Sequence, residues 1–258
     1  MLDAKKIRGL IGNKAETVMF DVIDSTNTEA KRRASALAAK TDLTPVLILA
    51  REQTAGRGRV GREFLSRADS GIYMSLMYFT DRALEDAVSV TTAAAAIVAE
   101  ELERAVGRPM RIKWVNDIYN EGGKVSGILV ETLNLSPSCR AIIVGIGINT
   151  GEREFPEELR GIASSVGDLD GNEETLIARI AERLLSHAYA PEDRAYMTEY
   201  RKRFMLMGEK VNLLVCGEVT NEGRVMGVDD DGGLLFLPDG KSEILTVRSG
   251  EISVRIKE

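Results

Sequence analysis

Arg51-Glu52-Gln53-Thr54-Ala55-Gly56-Arg57-Gly58-Arg59-Val60-Gly61-Arg62 decides between two different folds. Gly56, Gly58 and Gly61 spell G-x-G-x-x-G behind the apolar run Val46-Leu47-Ile48-Leu49-Ala50, the form of a dinucleotide-binding strand and turn. That reading needs a helix to open on the loop and an acidic residue about 20 positions later. The following stretch, Phe64-Leu65-Ser66-Arg67-Ala68-Asp69-Ser70-Gly71, carries turn residues and no helical apolar period. A Rossmann site is therefore disfavoured. Two readings stay open. Glycines let backbone N–H groups approach a ligand, and arginines bring permanent charge with a planar donor fork, so the loop could close over an anionic small molecule. It could equally be a solvated basic hairpin or an RNA-touching loop.

Composition narrows the choice. The net charge is 34 − 40 = −6, which argues against wholesale nucleic-acid binding and makes the arginines a local basic spot in an acidic chain. At 258 residues with 44% apolar content, the chain suits one large domain, or one plus a small module, around a real core. Cys139 and Cys216 lie far apart with no C-x-x-C pattern, so neither a disulfide framework nor a zinc site is indicated. His187, the sole histidine, falls in a helical pattern and reads as a packing residue. No apolar run approaches membrane-spanning length and no secretory h-region opens the chain, which points to the cytoplasm.

Along the chain, Thr17–Val22 reads as a strand leading into a helix that runs to about Ala39, with Thr26 and Glu29 in capping-box spacing. Strands follow at Val46–Ala50 and Ile72–Tyr78, then an Ala-rich helix from about Leu84 to Val106 that stops at Gly107. Arg111–Val115, Lys124–Glu131 and Arg140–Ile148 read as three strands, with turns at Asn116-Asp117 and at Asn134–Pro137. Helices are expected over Glu173 to about Ala188 and Asp193–Phe204. From Gly208 the pattern changes to short β-rich pieces with Asp/Gly turns, which suggests a small SH3-like barrel.

Three further segments bear on the loop. Lys113-Trp114-Val115-Asn116-Asp117 ends a strand on a polar pair. Lys124-Val125-Ser126-Gly127-Ile128-Leu129-Val130-Glu131 puts a lysine at the head of the next strand. Gly145-Ile146-Gly147-Ile148-Asn149 ends a third whose alternate glycines permit close approach along one face. Taken singly each is weak. In this order, with Asp24-Ser25-Thr26-Asn27 upstream and Gly250-Glu251-Ile252-Ser253 near the end, the chain closely resembles the biotin protein ligases from about Phe20 to Val254.

The resemblance implies an α/β fold of α+β type: a mixed central sheet flanked by helices, like class II aminoacyl-tRNA synthetases and biotin–lipoyl ligases. It implies a catalytic domain over 1–207 and a C-terminal SH3-like β-barrel over 208–258. The implied reaction joins biotin to ATP as biotinyl-5′-adenylate, then passes biotin to a lysine of a biotin carboxyl carrier domain. Bringing a carboxylate to a polyphosphate opposes like charges, so cations are needed there. By resemblance Arg59 and Lys124 are the catalytic pair. Ser25, Thr26, Asn27, Gln53, Gly56, Arg57, Gly58, Arg59, Lys124 and Gly127 meet biotin. Arg59, Arg62, Phe64, Asn116, Lys124 and Asn149 meet ATP. Mg²⁺ would bridge phosphate oxygens, with Asp117 meeting it directly or through water.

Only about twenty residues precede the Ser-Thr-Asn block, which points to a short form without a winged helix and hence without DNA binding. No membrane partner is expected, and a homodimer is compatible with this picture. Val115 stands where the family's motif has proline, Phe64 where a tryptophan is common, and Arg67 where a proline is usual. Competing readings are a lipoate–protein ligase, a non-catalytic adenylate sensor and a nucleic-acid-binding Gly/Arg protein.

Overall fold

The computed structural model describes residues 2–37, 43–81, 87–151, 154–215, 218–248 and 252–256. The expected helix start at Leu84 and the thiol of Cys216 lie outside these residues, as do Ala38, Ala39, Gly250 and Glu251.

The main sheet has seven strands: β1 (Glu16–Ile23), β2 (Val46–Gln53), β3 (Gly71–Thr80), β4 (Arg111–Lys113), β5 (Asp117–Asn120), β6 (Gly123–Ser136) and β7 (Cys139–Asn149). Their order is β1-β2-β3-β7-β6-β5-β4. Only β1 and β2 pair in parallel, and every other neighbour is antiparallel, so the sheet is mixed as the resemblance implied. The antiparallel pairing of β2 with β3 also disposes of the Rossmann alternative, which needs a parallel crossover there.

Burial on both sheet faces explains why β2 and β3 are nearly continuous apolar runs rather than alternating ones. On one face lies α3 (Ala87–Val106), whose alanines let its backbone pack close to β6, with Val144, Ile146 and Ile148 of β7 in the same core. Helices α1 (Ala4–Leu10), α4 (Glu173–Tyr189) and α5 (Tyr196–Arg203) share that core. On the other face α2 (Thr26–Leu37) sets Ala30 and Ala34 against Ile48, Met77 and Ile143. His187 is a packing residue, its ring edge-on to Tyr196 at 5.1 Å.

Three local expectations change. Asn116-Asp117 was expected as a turn, but Asp117 begins β5, in register with Lys113 of β4. The Asn134–Pro137 turn starts later, because β6 runs on to Ser136. The capping box does not form either. Ser25 carbonyl takes the first helical bond from the Glu29 N–H, and the Glu29 carboxylate turns to Arg33 and Arg32. Thr26's hydroxyl is drawn elsewhere, as described below. Helix α1, begun by Asp3 accepting from the Lys5 and Lys6 N–H groups, was not foreseen.

The C-terminal segment forms a second sheet, antiparallel throughout, in the order β11-β10-β9-β8-β12. Its strands are β8 (Lys210–Val215), β9 (Glu218–Val228), β10 (Leu234–Pro238), β11 (Leu245–Val247) and β12 (Ile252–Ile256). The expected barrel is thus a five-stranded sheet whose edges β11 and β12 make no mutual pairing among the described residues. Val211, Val225 and Phe236 join the same core as the main sheet.

One buried charge ties α3 to α4. Glu101 is 1% exposed and accepts from Arg104 (2.8 Å), Arg179 (2.7 Å) and Arg183 (2.9 Å). Burial alone would push its carboxyl up, but the bonds from Arg179 and Arg183, with the charge of Arg104, hold it below the ordinary value of 4.5. Glu101→Gln should cost about 2 kcal/mol at neutral pH, measured by urea unfolding. A depressed folded pKa gives stability that is complete above 4.5 and lost as pH falls through the lower value. The gap between wild type and variant should therefore close in acid.

Candidate active site

β6 and β7 build the floor of the site through side chains they lack. Gly127 and Gly147 are direct register partners, and Gly145 lies two residues further along β7. A Cβ on Gly145 would sit 2.1 Å from Asn27 Oδ1, and one on Gly147 would sit 2.4 Å from the Phe64 ring. On Gly127 it would come within 3.3 Å of the Lys124 Nζ. An amide, an aromatic ring and an ammonium group thus lie directly against the sheet.

Above this floor opens a cleft of about 630 Å³. Ser25, Thr26, Asn27, Gln53, Arg57, Gly58, Arg59, Arg62, Phe64, Asn116, Asp117, Lys124, Gly127 and Asn149 all line it. Of the site residues expected from sequence, Gly56 alone does not. It is packed in the base of the Gly/Arg loop, where a Cβ would meet the Phe64 carbonyl at 2.3 Å.

The loop is a hydrogen-bonded hairpin. Gly58 N–H donates to Arg62 O (2.7 Å), Phe64 N–H to Gly56 O (3.0 Å), and Ala55 N–H to Asp24 O (2.8 Å). Arg57, half-exposed, lies 3.9 Å from the Glu131 carboxylate. Arg59 reaches inward and donates to Asn116 Oδ1 at 3.2 Å. Burial pulls the Arg59 pKa down, with Asp117 opposing that effect and Arg62 adding to it. It stays a cation regardless. The next residue along, Asp117, holds the Lys124 ammonium at 2.6 Å. Both inward cations are therefore anchored on consecutive residues of one short strand entry.

The opposite end is neutral and polar. Gln53 Oε1 accepts from the Thr26 N–H (2.8 Å) and lies 3.1 Å from its hydroxyl. Asn27 donates to Glu131 (2.9 Å) and to Leu129 O (3.3 Å). Ser75 of β3 lies beneath them, 2.7 Å from Thr26 Oγ1 and 2.6 Å from Asn27 Oδ1. Asn149 gives its amide N–H groups to the carbonyls of Ser164 (2.9 Å) and Lys124 (3.4 Å).

Several cleft residues escaped the sequence reading. Lys113, Glu63 and Tyr119 line the charged end, and Phe155, Leu159, Ile162 and Ala163 supply an apolar wall. That wall is held by backbone bonds between Lys124 and residues 162 and 164. Lys113 was visible in its motif. Nothing in the sequence marked the 155–163 wall or Ser75. Among the lining residues five cations, Arg57, Arg59, Arg62, Lys113 and Lys124, face two carboxylates, Glu63 and Asp117. Such a cleft concentrates anions.

Residues 19–149 match the biotin/lipoate A/B protein ligase family, and residues 206–255 match the biotin protein ligase C-terminal domain. A biotin–[acetyl-CoA-carboxylase] ligase from Paracoccus denitrificans is 32% identical over 86% of this chain and 94% of its own. The chain belongs to the biotin protein ligase family. A bifunctional ligase/repressor from Bacillus spizizenii is 35% identical, covering 84% of this chain and 67% of that relative. A solved biotin protein ligase from Aquifex aeolicus, in complex with biotin and ATP, superposes with a TM-score of 0.74 at 31% identity. It covers 94% of this chain and 99% of that one.

Gly56→Ala should force the base of the loop open, because its new methyl would meet the Phe64 backbone carbonyl at 2.3 Å and the Ser66 hydroxyl at 2.5 Å. Limited trypsin digestion should then cut at Arg57, Arg59 or Arg62 several-fold faster, with little change in global unfolding.

Proposed function

We propose that this cleft is where the protein adenylates biotin with ATP before transferring it to the lysine of a biotin carboxyl carrier domain of a carboxylase. The reading is supported most by one observation: Arg59 and Lys124 converge on one cleft, tied to adjacent Asn116 and Asp117, with a neutral polar pocket at the far end. Biotin has this same polarity, a cyclic urea at one end and a carboxylate at the other.

In the first step a biotin carboxylate oxygen attacks the α-phosphorus of ATP. The bond to the β-phosphate breaks and pyrophosphate leaves. Arg59 and Lys124 hold the two like-charged reactants together and stabilise negative charge on the α-phosphate oxygens. Lys124 must let go of Asp117 to do so, and the arriving anions supply the replacement partner. Ser25, Thr26, Asn27 and Gln53 take the urea, Gly127 leaves room beside the ring system, and Arg57 with Gly58 covers it. Arg62, Phe64, Asn116 and Asn149 form the nucleotide end. In the second step the acceptor amine attacks the acyl carbon, its bond to the AMP oxygen breaks, and the amine's proton passes to solvent. The closed hairpin keeps water from the anhydride meanwhile.

Asp117 suits Mg²⁺. Released from Lys124, it offers a carboxylate at the phosphate end, and the described residues contain no cluster of three acidic, His or Cys ligands. That donor set fits an ion held mainly by phosphate oxygens. Bound there, Mg²⁺ would offset the charge of the departing pyrophosphate.

Incubation with biotin, Mg-ATP and a biotin carboxyl carrier domain should add one biotin to that domain by intact mass, and lipoate should add nothing. Lys124→Ala should remove biotin-dependent ATP–pyrophosphate exchange while the fold persists; full exchange in that variant would refute its assigned role. Trp114, the only tryptophan, lines the cleft, so its emission should change on titration with biotin and ATP.

A further inference from the structure

Ser75 is 0% exposed and does not line the cleft, yet it is the hub of the cleft's neutral end. It belongs to β3 and is the register partner of Gly145 on β7, the glycine whose missing Cβ admits the Asn27 amide.

Hydrogen-bond chemistry fixes every orientation around it. Ser66 spends its proton on Phe64 O (2.8 Å), so it must accept from the Gln53 NH₂ group (2.8 Å). Gln53 therefore points its oxygen at Thr26. At the other end Leu129 O and the Glu131 carboxylate can only accept, so the Asn27 NH₂ must face them and its oxygen must face Ser75. Lys31, 2.7 Å away, holds Glu131 ionised, and although burial would raise that carboxyl, the bonds from Lys31 and Asn27 keep it lowered. Three oxygen–oxygen contacts result: Ser75 to Asn27, Ser75 to Thr26, and Thr26 to Gln53. Two hydroxyl protons are shared among the three contacts, so at most two of them are hydrogen bonds at any moment. The cluster is left rich in lone pairs and demands donors. Beside it, the Ser25 hydroxyl makes no hydrogen bond among the described residues, and it can donate to an oxygen.

We propose that Ser75 is a positioning residue that sets the neutral end of the cleft as an acceptor array for the two N–H groups of a cyclic urea. It acts through Thr26 and Asn27, never touching ligand. This inference rests on the biotin reading of the cleft. Without the Ser75 hydroxyl, the Asn27 oxygen loses its buried donor and Thr26 is free to rotate its own proton, so the array loses its single polarity.

The test uses the full chain, with Ser75→Ala and Ser75→Cys, the latter similar in size with a weak S–H donor. Steady-state KM values for biotin and for ATP are read from labelling of a carrier domain, alongside desthiobiotin, which keeps the urea and lacks the sulfur. Ser75→Ala should raise the biotin KM on the order of tenfold, the loss of one buried hydrogen bond. Ser75→Cys should raise it less. The ATP KM and the preference between biotin and desthiobiotin should hold, since the change falls on the urea that both share. An unchanged biotin KM in the folded alanine variant, or biotin and ATP values rising together, overturns the proposal. Should the alanine variant not fold, the cysteine variant decides by the same criteria. Wild-type protein that labels no carrier domain overturns the biotin reading itself, whereas normal wild-type labelling with a silent Ser75→Ala overturns only this inference.

Discussion

A sheet face can carry a small-molecule site only where its own side chains make room, and here the room is made at Gly127, Gly145 and Gly147. The intervening residues Val144, Ile146 and Ile148 fill the core on the opposite face of β7, so the methyl groups missing at Gly145 and Gly147 clear the face on which the cleft lies. The Phe64 ring, the Asn27 amide and the Lys124 ammonium then rest on backbone. An alanine at Gly145 would place its methyl inside the Asn27 amide. The polar array, the cation pair and the aromatic wall all follow from that clearance.

Electrostatics supplies the second layer. Five cations in one cleft of an acidic protein would repel one another if left unpaired. Each inward cation instead leans on a partner: Arg59 on the Asn116 amide and Lys124 on the Asp117 carboxylate. The partners differ in kind. Asn116 orients Arg59 through an amide oxygen, whereas Lys124 is paired directly with a carboxylate. In the proposed reaction arriving anions would have to replace Asp117 on Lys124, which suits the meeting of two anions that must not be bound so tightly that they cannot react.

How much of this was legible in the chain depends on the range of the physics. Loop chemistry is local, so the arginines and glycines stood out by residue type, and Arg57, Gly58, Arg59 and Arg62 line the cleft while Gly56 and Gly61 do not; Lys124 stood out only through the family resemblance. The strands of the main sheet were legible because they are apolar runs bounded by turn residues, whereas its mixed pairing was implied by the family resemblance. Register is not local. Ser75 matters because β3 sets it beside Gly145, seventy positions on, and one serine in an apolar strand carries no mark of that. The capping box misled for a related reason: Thr26 has the right spacing to Glu29, but Gln53 and Ser75 compete for its hydroxyl from other strands. The brief strand at Asp117 escaped because Asn-Asp is good turn chemistry in isolation. The SH3-like barrel was an inference from strand density and from the resemblance, and density does not specify which edges meet.

The second sheet bears directly on the site. Gly232, in the turn between β9 and β10, accepts from the Trp114 indole N–H at 2.9 Å, a buried bond across 118 residues. The turn fits tightly, since a Cβ on Gly232 would strike Thr92 of α3 at 2.7 Å. One residue further, the Val115 carbonyl accepts from the Tyr200 hydroxyl of α5 at 3.2 Å. Burial drives the Tyr200 phenol pKa well up, so it remains a donor. Trp114 and Val115 lead straight into Asn116 and Asp117, the anchors of Arg59 and Lys124. The segment that places both cations is therefore gripped from behind by α5 and by the C-terminal sheet. A catalytic sheet stripped of that support would keep its charges but lose the fixed geometry between them, and in a reaction driven by positioning that geometry is most of what the protein contributes.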